Sequence, residues 1–125
     1  MTKEQMERNV KGLQETVDIY GKLAEAGLIP SVTHVSPHGI YMETDTEYLA
    51  ARKALRKMFG VKDKLTHYYM SSEGTQLAVT YSYGDWIAVF YFSKAQEMLK
   101  TVSKGRCHIE EREVIKIRKT VACEV

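Results

Sequence analysis

The sequence is poor in everything that holds small scaffolds together covalently or through metals. Two cysteines in 125 residues, Cys107 and Cys123, cannot make a disulfide framework, and no Cys-x-x-Cys or His-Glu-x-x-His spacing marks a redox or metal site. Two reduced thiols are expected, acting as small apolar side chains in a cytoplasmic setting. No apolar run approaches the roughly 18 residues of a spanning helix. The start, Met1-Thr-Lys-Glu-Gln-Met-Glu-Arg, has no apolar core for a signal peptide, so the chain is expected to stay where it is made and off the membrane. Charge of one sign is also lacking. Lys and Arg number 18 against 16 Asp and Glu, and a net +2 announces neither nucleic acid nor membrane as a partner. Phosphate-cradling glycine loops and nucleophile elbows are missing too.

What is present is an ordinary globular composition, 44% apolar and 27% charged, at a length that suits one domain over residues 1–125. A first helix is predicted from about Lys3 to Ala26. Thr2 and Gln5 stand in capping-box spacing, Gly27 ends the helix and Pro30 blocks its continuation. Met6, Val10, Leu13, Val17, Tyr20 and Ala24 recur at alternating spacings of four and three, a stripe expected to face the core. Ser31–Ser36 and Ile40–Glu43 flank Pro37-His38-Gly39 as a hairpin. Thr44 and Glu47 open a second helix with Tyr48, Ala51, Leu55, Met58 and Phe59 on its apolar face and Gly60 at its end.

Three strands follow: Leu65–Met70, Gln76–Tyr83 and Trp86–Phe92, with Ser72–Thr75 and Gly84-Asp85 as the turns between them. Ser93 and Gln96 suggest a capping box for a third helix, which bears Ala95, Met98, Leu99 and Val102 and stops at Gly105. From Arg106 to Val125 odd positions are apolar and even ones mostly polar. Twenty extended residues would span about 66 Å, too long for one strand, so a bend is placed near Glu111 and Glu113. The order becomes α-ββ-α-βββ-α-ββ. The expected fold is α+β, a two-layer sandwich with an antiparallel sheet and its helices on one face. Gly39/Gly84 and Gly60/Gly105 recur at a common offset, a faint echo of a strand-turn-strand-helix unit.

The residues capable of chemistry do not assemble into a site. His34, His38, Cys107 and Cys123 are legitimate zinc ligands, but Cys107 and His108 point to opposite faces of a strand. Cys107 falls on an apolar face, where a thiol loses reactivity. The pairs Glu110/Glu111 and Asp45/Glu47 lie where solvent or helix capping accounts for them. No catalytic residue, cofactor or metal is assigned.

Two features point to binding. Arg52, Lys53, Arg56, Lys57, Lys62 and Lys64 oppose a single acid, Asp63, whereas residues 1–51 carry eight acids and four bases. The chain is therefore dipolar, and a basic face suits an acidic surface or phosphate. Eight aromatic residues also crowd the stretch from Tyr68 to Phe92, and neighbours such as Tyr68 and Tyr69 cannot share a face. Some aromatic surface must point away from the helices, where Tyr and Trp favour protein interfaces or base stacking. Tyr83 and Trp86, beside a tight turn, are the aromatic residues expected at the surface.

Hairpin-helix units with an alternating ending, Gly105-Arg-Cys-His-Ile-Glu and Lys116-Ile-Arg-Lys-Thr-Val-Ala-Cys-Glu-Val125, resemble small single-domain proteins of tailed phages and prophages. That resemblance implies stoichiometric binding to a host macromolecule, as in inhibitors of host defence such as anti-CRISPR proteins. The expectation is a non-enzymatic binding protein contacting its partner through Arg52, Lys53, Arg56, Lys57, Tyr83 and Trp86. A protein is favoured as the target, with a nucleic-acid-binding module built on the second helix as the alternative. Glu113 to Cys123 reads as an edge strand, and a homodimer through it or through Tyr83 and Trp86 is expected.

Overall fold

The fold is that of a computed structural model. It describes residues 1–28, 31–71, 73–113 and 117–124, and the side chains of these outside 110–118. Its elements are α1 (Lys3–Glu25), β1 (Val32–Ser36), β2 (Gly39–Glu43), α2 (Tyr48–Phe59), β3 (Lys64–Met70), β4 (Leu77–Tyr83), β5 (Trp86–Phe92), α3 (Ala95–Ser103), β6 (Cys107–Glu113) and β7 (Ile117–Cys123). The α+β class and the element order are those read from the sequence. Pro30 and Ser72, and Val114, Ile115 and Lys116 between β6 and β7, lie outside the described residues.

The first five strands form one sheet in the order β1-β2-β5-β4-β3. Its central pair, β2 and β5, is parallel, while every other pair in it is antiparallel. The sheet is therefore mixed, and the antiparallel expectation fails at that pair alone. The chain leaves β2 through α2 and comes back through the β3–β4 hairpin, which delivers β5 alongside β2 in the same direction. Gly39 lets the two backbones close, since a Cβ there would meet the Ile87 carbonyl.

One face of the sheet carries Ile40 and Met42, Trp86, Ala88, Phe90 and Phe92, and Leu77, Val79, Tyr81 and Tyr83, all buried. All three helices attach there. Tyr48 of α2 packs on Tyr81, Phe90 and Phe92, and Leu99 and Val102 of α3 join the same cluster. The α1 capping box forms as expected, the Thr2 hydroxyl taking the Gln5 N–H at 3.1 Å and Gln5 returning to the Thr2 N–H at 2.8 Å. The capping box expected at α2 does not form: the helix starts at Tyr48 with Glu47 at its N-cap and no side-chain cap, while the Thr44 hydroxyl holds the Glu47 N–H at 2.7 Å in the bend before it, and Gly60 closes the helix at φ +64°. At α3 the cap comes from elsewhere in the chain. Asp45, after β2, accepts the Lys94 N–H at 3.1 Å and the Ser93 hydroxyl, so Ser93 does not cap its own helix.

Of the stripe expected to seat α1, Tyr20 and Ala24 are half-buried but the first four residues face the wrong way. The helix meets the body through Gly12, Thr16, Ile19, Tyr20 and Leu23, while Met6, Val10, Leu13 and Val17 are exposed. Two local contacts set this rotation. The Thr16 hydroxyl accepts the Trp86 indole N–H at 3.1 Å. At Gly12 a Cβ would stand 2.7 Å from the Pro37 carbonyl oxygen, so only glycine lets the helix approach that turn.

β6 and β7 pair as a separate antiparallel hairpin, with Ile109 and Val121 against the core. Cys107 lies opposite Cys123 at a Cα separation of 4.2 Å, and the two form a disulfide. The expected pair of reduced thiols is corrected accordingly. The antiparallel pairing of β6 with β7 brings residues 16 positions apart into one cross-strand pair, which a count of cysteines does not reveal.

The 45-residue echo is not a rotational repeat. Seen from the helix side with β2 and β5 pointing up, β1 lies outside β2 on one side and β4 lies outside β5 on the other. The two hairpin-helix units thus have opposite hands, and no rotation superimposes them.

Candidate functional site

Of the six residues singled out for partner binding, three are drawn into the interior. Arg52 projects from α2 onto Asp63, just before β3. Its Nε meets Oδ2 at 2.8 Å and its Nη2 meets Oδ1 at 2.9 Å, a two-pronged pair whose carboxylate side chain is 2% exposed. The guanidinium also donates to the Tyr48 hydroxyl at 3.1 Å and lies 4.2 Å over the Tyr81 ring. Tyr48 and Tyr81 share a hydroxyl hydrogen bond, and Tyr83 donates to Asp63 Oδ2 at 3.0 Å. Tyr83 and Trp86, 2% and 8% exposed, pack against Phe59. The expected aromatic contact at Tyr83 and Trp86 therefore does not exist as a surface, either for a partner or for a homodimer. The tight Gly84-Asp85 turn puts both rings on the helix face of the sheet, where Phe59 and Thr16 cover them.

The electrostatics of this cluster give a prediction in pH. Burial pushes the Asp63 carboxyl up, but the hydrogen bonds from Arg52 and Tyr83 outweigh it and hold the group below the usual carboxylate range. Burial raises Tyr81 and Tyr83, helped by the Tyr48 hydrogen bond at the first and the Asp63 charge at the second. A depressed carboxylate stabilises the fold fully above its ordinary value of about 4, and the contribution is lost as pH falls through the lower folded value. A raised phenol stabilises fully below about pH 10, and that contribution is lost as pH rises through the higher folded value. Urea midpoints should therefore be flat from about pH 5 to 9 and fall on either side. The phenolate absorbance of Tyr81 and Tyr83 should emerge only with unfolding. Their ionisation in the native chain near pH 10 would contradict the buried placement.

Lys53, Arg56 and Lys57 remain on the surface of α2, as do Lys62 and Lys64 beyond it. Among the described residues no salt bridge engages these five. Leu49 and Val61 are exposed on the same segment, so the basic face is partly apolar.

The aromatic surface inferred from the sequence exists, on the other side of the sheet. Registers place Tyr41 of β2 beside Val89 of β5 and Thr80 of β4, flanked by His34 of β1 and His67 of β3. The next row runs Glu43, Tyr91, Ala78 and Tyr69, and the row on the other side includes Gly39, Ile87, Ser82 and Lys64. Tyr41 and Tyr91 stack with ring centroids 6.3 Å apart, and His34 tilts against Tyr41 at 5.2 Å. Val89 is buried even so. Each of the three helices sits on the opposite face. No family model, curated protein or solved structure matches the chain.

The sequence signal for this face lies in β5, Trp86-Ile-Ala-Val-Phe-Tyr-Phe92, which is apolar at every position. A strand with one wet face alternates, whereas a strand covered on both sides does not. Consecutive aromatic residues implied a second aromatic face, but choosing its members needed the phase of the strands. Tyr83 and Trp86 fall on the helix side, and Tyr41 and Tyr91 on the other.

A polar cleft of about 480 Å³ lies at one end of the sheet, bordered by Tyr91, Glu43, Asp45 and Glu47. Two of its carboxylates, Asp45 and Glu47, hold the fold together. Asp45 caps α3, and hydrogen bonds from Ser93 and the Lys94 N–H outweigh its modest burial and keep it below the usual carboxylate range. Glu47 accepts the Ser31 hydroxyl at 2.6 Å, tying the chain after α1 to the start of α2. Among the described residues no three His, Cys, Asp or Glu side chains converge as metal ligands, and no helix is long and apolar enough to cross a membrane.

Proposed function

We propose that the protein is a non-enzymatic binding protein that associates stoichiometrically with another protein through the open face of its sheet. The observation that carries this reading is the cover of Tyr41, Ile87, Val89 and Tyr91 on that face, where a solvated sheet would alternate to polar residues. Rings half shielded by their neighbours offer large rigid area at small entropic cost, the composition favoured at protein interfaces. The resemblance to small tailed-phage proteins extends the proposal to an accessory factor acting on a host macromolecule. A cytoplasmic setting belongs to the same proposal and carries a condition. The Cys107–Cys123 disulfide would there have to resist reduction by the glutathione pool.

A second reading, nucleic-acid binding through α2, is favoured by the exposed Lys53, Arg56, Lys57, Lys62 and Lys64. One experiment separates the two. Tagged wild type, Tyr41→Thr/Tyr91→Thr and Lys53→Glu/Lys57→Glu are each used for capture from nuclease-treated bacterial lysate, with melting temperatures measured alongside. A protein retained by wild type after nuclease treatment and lost with the tyrosine variant supports the sheet face. Retention that disappears with nuclease, or with the charge reversal alone, transfers the function to α2.

A further inference from the structure

We propose that the Cys107–Cys123 disulfide is a redox latch on β7, opened when a dithiol reductant attacks Cys123. The bond joins two unlike surroundings. Cys107 is buried, and its N–H donates at 3.1 Å to the Ser103 hydroxyl, which itself donates to the Leu99 carbonyl at 2.6 Å. This end is fastened to α3 by groups other than the bond. Cys123, at the close of β7, is exposed. Its strand belongs to a two-stranded sheet apart from the main one, and a hairpin of two strands is marginal by itself in water. Besides the ladder to β6, β7 rests on the core through Val121 and lays the Lys119 stem over Gly74 in the β3–β4 turn. Just past it, the Glu124 N–H reaches the Arg106 carbonyl at 3.0 Å. The disulfide spans 16 positions, and closing a loop of that size favours the closed state by roughly a hundredfold.

Exposure decides which sulfur is attacked. A reductant thiolate reaches Cys123 Sγ, a new sulfur–sulfur bond forms there, and Cys107 leaves as a thiolate that takes a proton from water. With a monothiol such as glutathione the exchange stalls at this point. Pairing of β6 with β7 keeps Cys107 opposite Cys123, so its thiolate attacks the mixed disulfide and closes the latch again. A dithiol escapes this reversal. Its second thiolate attacks its own sulfur in the mixed disulfide, releases Cys123 to be protonated, and departs as a cyclic disulfide. Two electrons and two protons pass from the dithiol to the chain. The latch thus stays shut against the glutathione pool and opens to a dithiol. Opening loosens the cover that β7 gives to Ile109 and to Tyr68 of β3, the edge strand of the main sheet.

The test uses the oxidised full chain without denaturant, treated with dithiothreitol or with reduced glutathione. Free thiols are alkylated and counted by intact mass, and amide exchange is followed by mass spectrometry. Dithiothreitol should yield two alkylated thiols, and glutathione should leave the bond closed. Peptide mapping of the trace glutathione adduct should place it on Cys123. Reduction should accelerate exchange from Lys119 to Cys123 by roughly a hundredfold and leave β5 unchanged. Cys107→Ser/Cys123→Ser should show the same fast exchange with no reductant present. A bond that yields to dithiothreitol only with denaturant, or equally to glutathione, would overturn the proposal. So would an adduct on Cys107, unchanged exchange in β7 after reduction, or acceleration of β5 by the same factor.

Discussion

Replacing Arg52 by methionine should lower the unfolding free energy by about 3–5 kcal/mol, a large loss for a charged residue. The cause is what the substitution leaves behind. Asp63 keeps the Tyr83 hydroxyl but loses both prongs of its cation, and its side chain has almost no access to water. An uncompensated buried carboxylate either stays charged at a high cost or takes up a proton, so the variant should also be more sensitive to rising pH near neutrality. The double variant Arg52→Met/Asp63→Leu should recover most of the loss, because an apolar pair of similar volume needs no hydration. Lys53→Met, one residue away on the exposed side of α2, should change stability by less than about 0.5 kcal/mol. Equal effects at positions 52 and 53 in urea titrations would mean that the pair is solvated.

Trp86→Ala should cost about 3–5 kcal/mol through the cavity it leaves. Phe59 and Tyr83 lose the ring they pack on, and the buried Thr16 hydroxyl loses its donor. Because that hydrogen bond ties α1 to the sheet, amide exchange should accelerate across Thr16 to Leu23 more than in β4. Trp86→Phe keeps most of the packing and loses the hydrogen bond, so its cost should be about 1–3 kcal/mol. A Trp86→Ala chain as stable as wild type would return this side chain to the surface, where the sequence alone had placed it.

The contrast between Arg52 and Trp86 shows where sequence reading works for this fold. Caps, turns and periodicity are local, and they yield every element of the chain in order, with Thr2, Gly60 and the Gly84-Asp85 turn in the roles read for them. Phase and pairing are not local. Which stripe of α1 turns inward depends on Thr16 meeting a tryptophan 70 residues on, and on Gly12 fitting against Pro37. Six bases on and beyond α2 look alike in sequence, yet Asp63 captures Arg52 and leaves Lys53, Arg56, Lys57, Lys62 and Lys64 to solvent. The parallel β2–β5 pair was hidden for the same reason, since each hairpin is read alone. One long-range fact was visible all the same. The unbroken apolar run of β5 already said that the sheet has two faces to cover, and helices cover one of them.

The binding role of the second face is most directly tested by the affinity of the captured protein, purified, for wild type and for Tyr41→Thr/Tyr91→Thr. Threonine keeps strand propensity while removing both rings, so the fold should be retained and the melting temperature should move little. The expected result is an affinity loss of at least a hundredfold in the double variant, with only a modest salt-dependent change for Lys53→Glu/Lys57→Glu. Equal affinity of wild type and the tyrosine variant, both folded, would contradict binding through the open face of the sheet.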